Sequence, residues 1–148
     1  MTTSRRPVIH DGFDSLAVVD GNADVPLPGI IWFPNVLGTK EDDFVRAERV
    51  AALGYAVLVA DVYGAGKRTT RADPDMGRYM AELNDDRAMM RDRLLGAHAA
   101  LKALPEVDAG RTAAIGYCFG GKCVLDLARA GADITGGVSF HGVYDPPP

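Results

Sequence analysis

The stretch from Thr112 to Lys122, TAAIGYCFGGK, constrains this chain more than any other. An apolar, strand-like run enters a glycine-rich turn and leaves it as a helical pattern through Cys123-Val124-Leu125-Asp126-Leu127-Ala128-Arg129. Cys118 stands at the centre of the turn, with Gly116 two residues before it and Gly120 two residues after. That is the G-x-[SC]-x-G spacing of a strand–turn–helix elbow, which pushes its central side chain out at the tip of a strand. The glycines have a steric task, because in so tight a turn a Cβ would clash with the neighbouring strand and helix. A thiol at a helix start also faces unpaired N–H groups and the positive end of the helix dipole, which favour the thiolate.

Two other readings share these residues. Gly116-x-x-x-x-Gly121-Lys122 is one residue short of a phosphate-binding loop, which needs Ser or Thr where this chain has Cys123. The next apolar run, Ile134 to Phe140, also lacks an acidic residue for Mg²⁺. Alternatively Cys118 is an inert core thiol, since free Cys packs as a small hydrophobe. A site bracketed by glycines is a poor place for core packing.

The remaining chain supplies a sheet for the elbow to join. Val8–Phe13 and Ser15–Asp20 suggest a hairpin or two short strands, with turn chemistry at Asp11-Gly12 and Asp20-Gly21-Asn22. Gly29-Ile30-Ile31-Trp32-Phe33 and Tyr55-Ala56-Val57-Leu58-Val59-Ala60 are continuous apolar runs, as strands buried on both faces require. Between them lies a helix, with Thr39 as the expected N-cap, acidic residues in its first turn and Gly54 as its stop. Strand–helix–strand with short connections predicts a parallel sheet with right-handed crossovers. One long helical pattern runs from about Gly77 to Leu104, with Gly96 as its weak point. His98 is expected at the edge of the core and His10 on the surface of a strand. The fold class is therefore α/β, a single domain over 1–148 with a mostly parallel sheet and helices on both faces.

Composition narrows the function. The 148 residues are 47% hydrophobic and 24% charged with a net charge of −4, ordinary for a globular chain and opposite to a basic nucleic-acid footprint. The two cysteines make neither a disulfide framework nor a metal site, and free thiols fit a reducing cytoplasm. The start has positive charge but no apolar run behind it, so no secretory signal is expected, and no stretch approaches the length of a membrane span.

With these segments placed, the chain resembles the dienelactone hydrolase family, a branch of the α/β-hydrolases with a Cys nucleophile. The resemblance is carried by Gly116-Tyr117-Cys118-Phe119-Gly120-Gly121, Pro34-Asn35-Val36-Leu37-Gly38, Gly54-Tyr55, Asp61-Val62-Tyr63-Gly64 and Ser139-Phe140-His141-Gly142. It implies that Cys118 attacks the carbonyl of an ester or lactone, with the oxyanion held by the backbone N–H groups of Phe119 and Val36. It also implies an arginine for a substrate carboxylate, at Arg78, Arg71 or Arg68. No metal or organic cofactor is called for. Two departures stand out. The family commonly carries a Glu, in contact with the thiol, where this chain has Asn35, here assigned to substrate binding. Its triad Asp and His follow later strands, at positions beyond Pro148. The expectation is an amino-terminal part of an α/β-hydrolase domain, C-terminally incomplete, with His141 as a candidate base.

Three functions are weighed. The first is a carboxylic-ester or lactone hydrolase acting by acyl transfer to Cys118 on a small-molecule substrate. The second is a catalytically incomplete fragment or binding module of that fold. The third is a redox-responsive Cys protein, which low-dose peroxide oxidation of Cys118 would reveal. Neither nucleic acid nor membrane is an expected partner; self-association through an exposed last strand is.

Overall fold

The computed structural model describes residues 2–145. The chain opens with a hairpin of β1 (Thr3–His10) and β2 (Phe13–Asp20). Asp11 and Gly12, at φ 50° and 82°, form the two-residue turn, a pair of positive φ values that matches strand twist. The first strand thus ends before Asp11, and Phe13 belongs to the second strand instead of the first. Then follow β3 (Leu27–Phe33), α1 (Glu41–Ala51), β4 (Ala56–Val59), α2 (Arg78–Asp85), α3 (Arg87–Lys102), β5 (Val107–Tyr117), α4 (Phe119–Arg129) and β6 (Gly137–Phe140).

The strands form one sheet in the order β1-β2-β4-β3-β5-β6. β3 runs parallel to β4 and β5, and β5 parallel to β6; β2 is antiparallel to both β1 and β4. Alternation along the strands sends side chains to two cores. Ile31, Phe33 and Leu58 meet Met90, Leu94 and Leu101 of α3 and Phe119, Cys123 and Leu127 of α4. Ile30, Trp32, Val57 and Val59 meet Ala47 and Ala51 of α1 on the opposite face. The parallel runs are therefore apolar throughout because helices cover both sides.

Two helix boundaries differ from expectation. The cap of α1 is Lys40, not Thr39: Asp43 reaches back and accepts from the Lys40 N–H (3.1 Å), while its other oxygen accepts from the Trp32 indole (3.3 Å). That buried carboxylate ties the helix start to β3. The long helical pattern breaks at Asp86, not Gly96. Asp86 leaves helical geometry (φ −132°, ψ 85°) and its side chain caps α3 by accepting from the Met89 N–H. His98 is buried, with Nε2 2.9 Å from Thr112 Oγ1, and His10 Nε2 lies 2.8 Å from Ser15 Oγ.

Lys122 is fully buried and donates to Asp126, which also accepts from Arg87 and Arg129. This network welds α4 to α3. It also disposes of the phosphate-loop reading, since the lysine that would meet a phosphate is committed to a carboxylate inside the protein.

Candidate active site

Strand β5 delivers Cys118 to the carboxyl edge of the parallel sheet, where ligands bind in open α/β folds. The turn closes because Gly116 and Gly120 have no side chain: a Cβ on the first would strike the Gly120 carbonyl, and on the second the carbonyls of Phe33 and Pro34. Cys118 itself adopts φ 56°, ψ −115° at the N-cap of α4, a conformation costing a non-glycine residue about 1–3 kcal/mol. Its surroundings over-determine it. The Cys118 N–H donates to Phe140 O (2.9 Å), and its carbonyl accepts from Gly121, Lys122 and Val143 N–H groups at 3.0, 3.3 and 3.3 Å. The second cysteine, Cys123, is fully buried, and desolvation pushes its thiol well above the usual range, so it stays neutral.

The loop after β3 meets the elbow from the neighbouring strand. Its carbonyls at Asn35, Val36 and Leu37 and its N–H groups at Leu37 and Gly38 are all bonded. Asn35 O accepts from the Gly38 N–H (3.1 Å), Leu37 O accepts from the Thr69 N–H (3.0 Å), and the Tyr63 hydroxyl donates to Val36 O (2.9 Å). The Leu37 N–H donates to Asn35 Oδ1 (3.0 Å). The Val36 N–H has no acceptor among the described residues, and neither does that of Phe119, the first residue of α4. Because a trans peptide sets N–H and C=O on opposite sides, fixing Asn35 O aims the Val36 N–H the other way.

A cleft of about 540 Å³ joins these parts; Asn35, Val36, Arg71, Cys118 and His141 all line it, along with Lys40, Arg46 and Met76. Of its cations, Lys40 is paired with Asp43 (2.9 Å) and Arg46 with Asp42 (3.0 Å), whereas Arg71 has no ion-pair partner among the described residues. The other two arginines suggested from sequence lie elsewhere. Arg78 pairs with Asp73 and stacks over Tyr79 (4.8 Å), and Arg68 bonds to buried Asp61 (3.2 Å); neither lines the cleft. His141, at φ 38° and exposed, lies 6.2 Å from the Tyr117 ring by centroids, and no hydrogen bond joins it to Cys118. Asn35 spends its side-chain oxygen on the Leu37 N–H and, at 3.5 Å, on Lys40. Sequence reasoning gave Lys40, Asp43 and Tyr63 no part in the site, because their partners become visible only in three dimensions. Among the described residues no cluster of three His, Cys, Asp or Glu side chains could hold a metal ion.

The model of the dienelactone hydrolase family matches residues 13–148. The chain belongs to that family. A dienelactone hydrolase-like promiscuous phosphotriesterase from metagenomic libraries superposes with a TM-score of 0.89 at 38% identity, over 96% of this chain and 60% of that one. A second structure, m3DLH, gives 0.91 at 37% identity, over 99% and 62%. The fold alone is shared with a dienelactone hydrolase from Anabaena variabilis, TM-score 0.62 at 20% identity, over 95% and 63%. An uncharacterized protein of Caenorhabditis elegans is 42% identical over 64 residues, 43% of this chain and 40% of its own length. The chain thus spans about three fifths of the solved family structures it matches, and its sheet and flanking helices are those of an α/β-hydrolase. No helix among the described residues is long and apolar enough to cross a membrane.

Proposed function

We propose that the chain carries the acyl-accepting half of a carboxylic-ester or lactone hydrolase, with Cys118 as nucleophile. The observation that carries this is Cys118 itself, held at φ 56° on a cleft that Val36 also lines, with the N–H groups of Phe119 and Val36 free of acceptors among the described residues. Strain persisting where it is over-determined is a mark of functional sites. The Cys118 thiolate attacks the carbonyl carbon, and the carbonyl oxygen takes the displaced electron pair and is held by the two N–H groups. Collapse breaks the C–O bond, releasing an alkoxide that takes a proton, and leaves a thioester. Water then cleaves the thioester to the acid and regenerates the thiol. No metal or organic cofactor enters either step.

Arg71, an unpaired guanidinium on the cleft, favours substrates with an anionic group. His141 lines the same cleft and is the candidate to assist the water. The free thiols suit a reducing, cytoplasmic setting.

The test is rapid mixing with an activated chromogenic ester, beside Cys118→Ala. A burst equal to the protein concentration, absent from the variant, supports acyl transfer. Sustained turnover after the burst, lost in His141→Ala, assigns the base; a burst with almost no turnover makes the chain an acyl acceptor only. Equal rates in wild type and Cys118→Ala would sink the proposal. The similarity to a promiscuous phosphotriesterase adds one further substrate to try, a chromogenic phosphotriester.

A further inference from the structure

Tyr63 is 2% exposed and lies in the loop that leaves β4, yet its hydroxyl reaches across to the loop after β3. It donates to Val36 O at 2.9 Å, and its ring stacks on Phe119 with centroids 6.0 Å apart. Behind it, the Tyr63 N–H donates to buried Asp61 Oδ1 (3.0 Å), which also accepts from the Gly64 N–H (3.0 Å) and Arg68 (3.2 Å). The side chain is therefore anchored from the rear, and its front touches both segments that carry the free N–H groups.

We propose that Tyr63 is a positioning residue that aims the Val36 N–H at the oxyanion formed on Cys118. The inference rests on the acyl-transfer reading above. Its physical content lies in which peptide planes are held. Val36 O and the Leu37 N–H belong to one planar peptide, clamped at the oxygen by Tyr63 and at the nitrogen by Asn35 Oδ1. Only the two soft dihedrals at Val36 separate that plane from the one carrying the Val36 N–H. Without the hydroxyl, the clamped plane is held at one end only, a carbonyl loses its partner, and the neighbouring donor is steered by the Gly38 N–H bond to Asn35 O alone. A preorganised donor is effective because it needs no reorientation when charge develops. Burial pushes the phenol well above its ordinary range, so the O–H donor persists around neutral pH.

Tyr63→Phe removes one oxygen and keeps the ring on Phe119. Losing an oxyanion donor outright costs about 10²–10³ in rate, so misaiming one is expected to slow acylation by an activated ester about ten- to a hundredfold. Alkylation of Cys118 by iodoacetamide forms the S–C bond and expels iodide at a saturated carbon, so no oxyanion develops. Its rate is expected to stay within about twofold of wild type, which also shows that the elbow is intact. Amide exchange at Leu37 and Gly38, whose N–H groups are bonded in the wild type, is expected to accelerate. Unchanged acylation overturns the inference, and so does equal slowing of acylation and alkylation, because Tyr63 would then support the thiol and not the donor. Should the wild-type chain show no Cys118-dependent acylation, the acyl-transfer reading falls instead. Exchange in the loop then judges Tyr63 alone, and unchanged exchange overturns its part.

Discussion

The floor and the wall of the cleft are built in opposite ways. The floor, made of the elbow and the loop after β3, is backbone held in place: Cys118 has its N–H and carbonyl both engaged, and the carbonyls of Asn35, Val36 and Leu37 are each bonded. The wall is made of side chains near the surface, where Arg46 and Asp42 pair in solvent, Arg71 has no ion-pair partner among the described residues and His141 is exposed. A floor of this kind fixes where charge can develop and leaves little to rearrange during a reaction. A wall of this kind changes which molecules enter without disturbing the fold. Substitutions in the floor are therefore expected to cost stability or rate, and those in the wall to cost selectivity.

The largest effect is expected at Gly120, where a Cβ must displace the carbonyls of Phe33 and Pro34. Gly120→Ala is expected to lose about 3 kcal/mol or more in urea unfolding, or not to fold; a loss under about 1 kcal/mol would show that the floor yields. Next comes Arg71→Gln, with a half-saturating concentration about tenfold higher for acidic esters and unchanged for neutral ones, a factor worth about 1.4 kcal/mol. An equal change for both substrate types would move Arg71 out of the wall. Asn35→Ala removes the acceptor of the Leu37 N–H and is expected to cost about 1 kcal/mol of stability, read as a shifted unfolding midpoint.

The smallest effect is a dependence on pH. Burial, with the Lys102 ammonium assisting against the pull of Asp133, holds His98 below the usual histidine range. The unfolded chain gains its proton near the ordinary value of about 6.5, the folded chain only below it. The stability given by neutral His98 is thus complete above about pH 6.5 and is lost as the pH falls towards the folded value, with a slope of at most about 1.4 kcal/mol per unit. Unfolding midpoints compared at neutral and mildly acidic pH should show the decline, and His98→Gln should flatten it.

Much of the frame was legible in the sequence because burial on both faces leaves unbroken apolar runs. Ile30 to Phe33 and Ala56 to Val59 announce the central strands, and Gly116, Cys118 and Gly120 announce the elbow. The break at Asp86 was not, since Asp85-Asp86-Arg87 resembles the solvated face of a continuous helix until the Asp86 side chain is seen to cap α3. Lys40 escaped for a similar reason: a lysine is an unusual cap, and the reciprocal bond comes from Asp43. The choice of Arg71 over Arg78 turns on which arginine finds a nearby carboxylate, and spacing does not encode that. The bond from Tyr63 to Val36 joins positions 27 apart through two different strands, beyond the reach of any local pattern.

The bond from Trp32 to Asp43 has a consequence for the laboratory. Trp32 is the one tryptophan in the sequence, 1% exposed, and its ring lies 5.1 Å from that of Tyr117, the neighbour of Cys118. Excited at the red edge, where the five tyrosines do not absorb, the chain therefore fluoresces from a single indole, dry in the folded state and separated from Cys118 by the Tyr117 ring. The protein carries its own optical probe, so unfolding, and any change beside Tyr117, can be followed without a label.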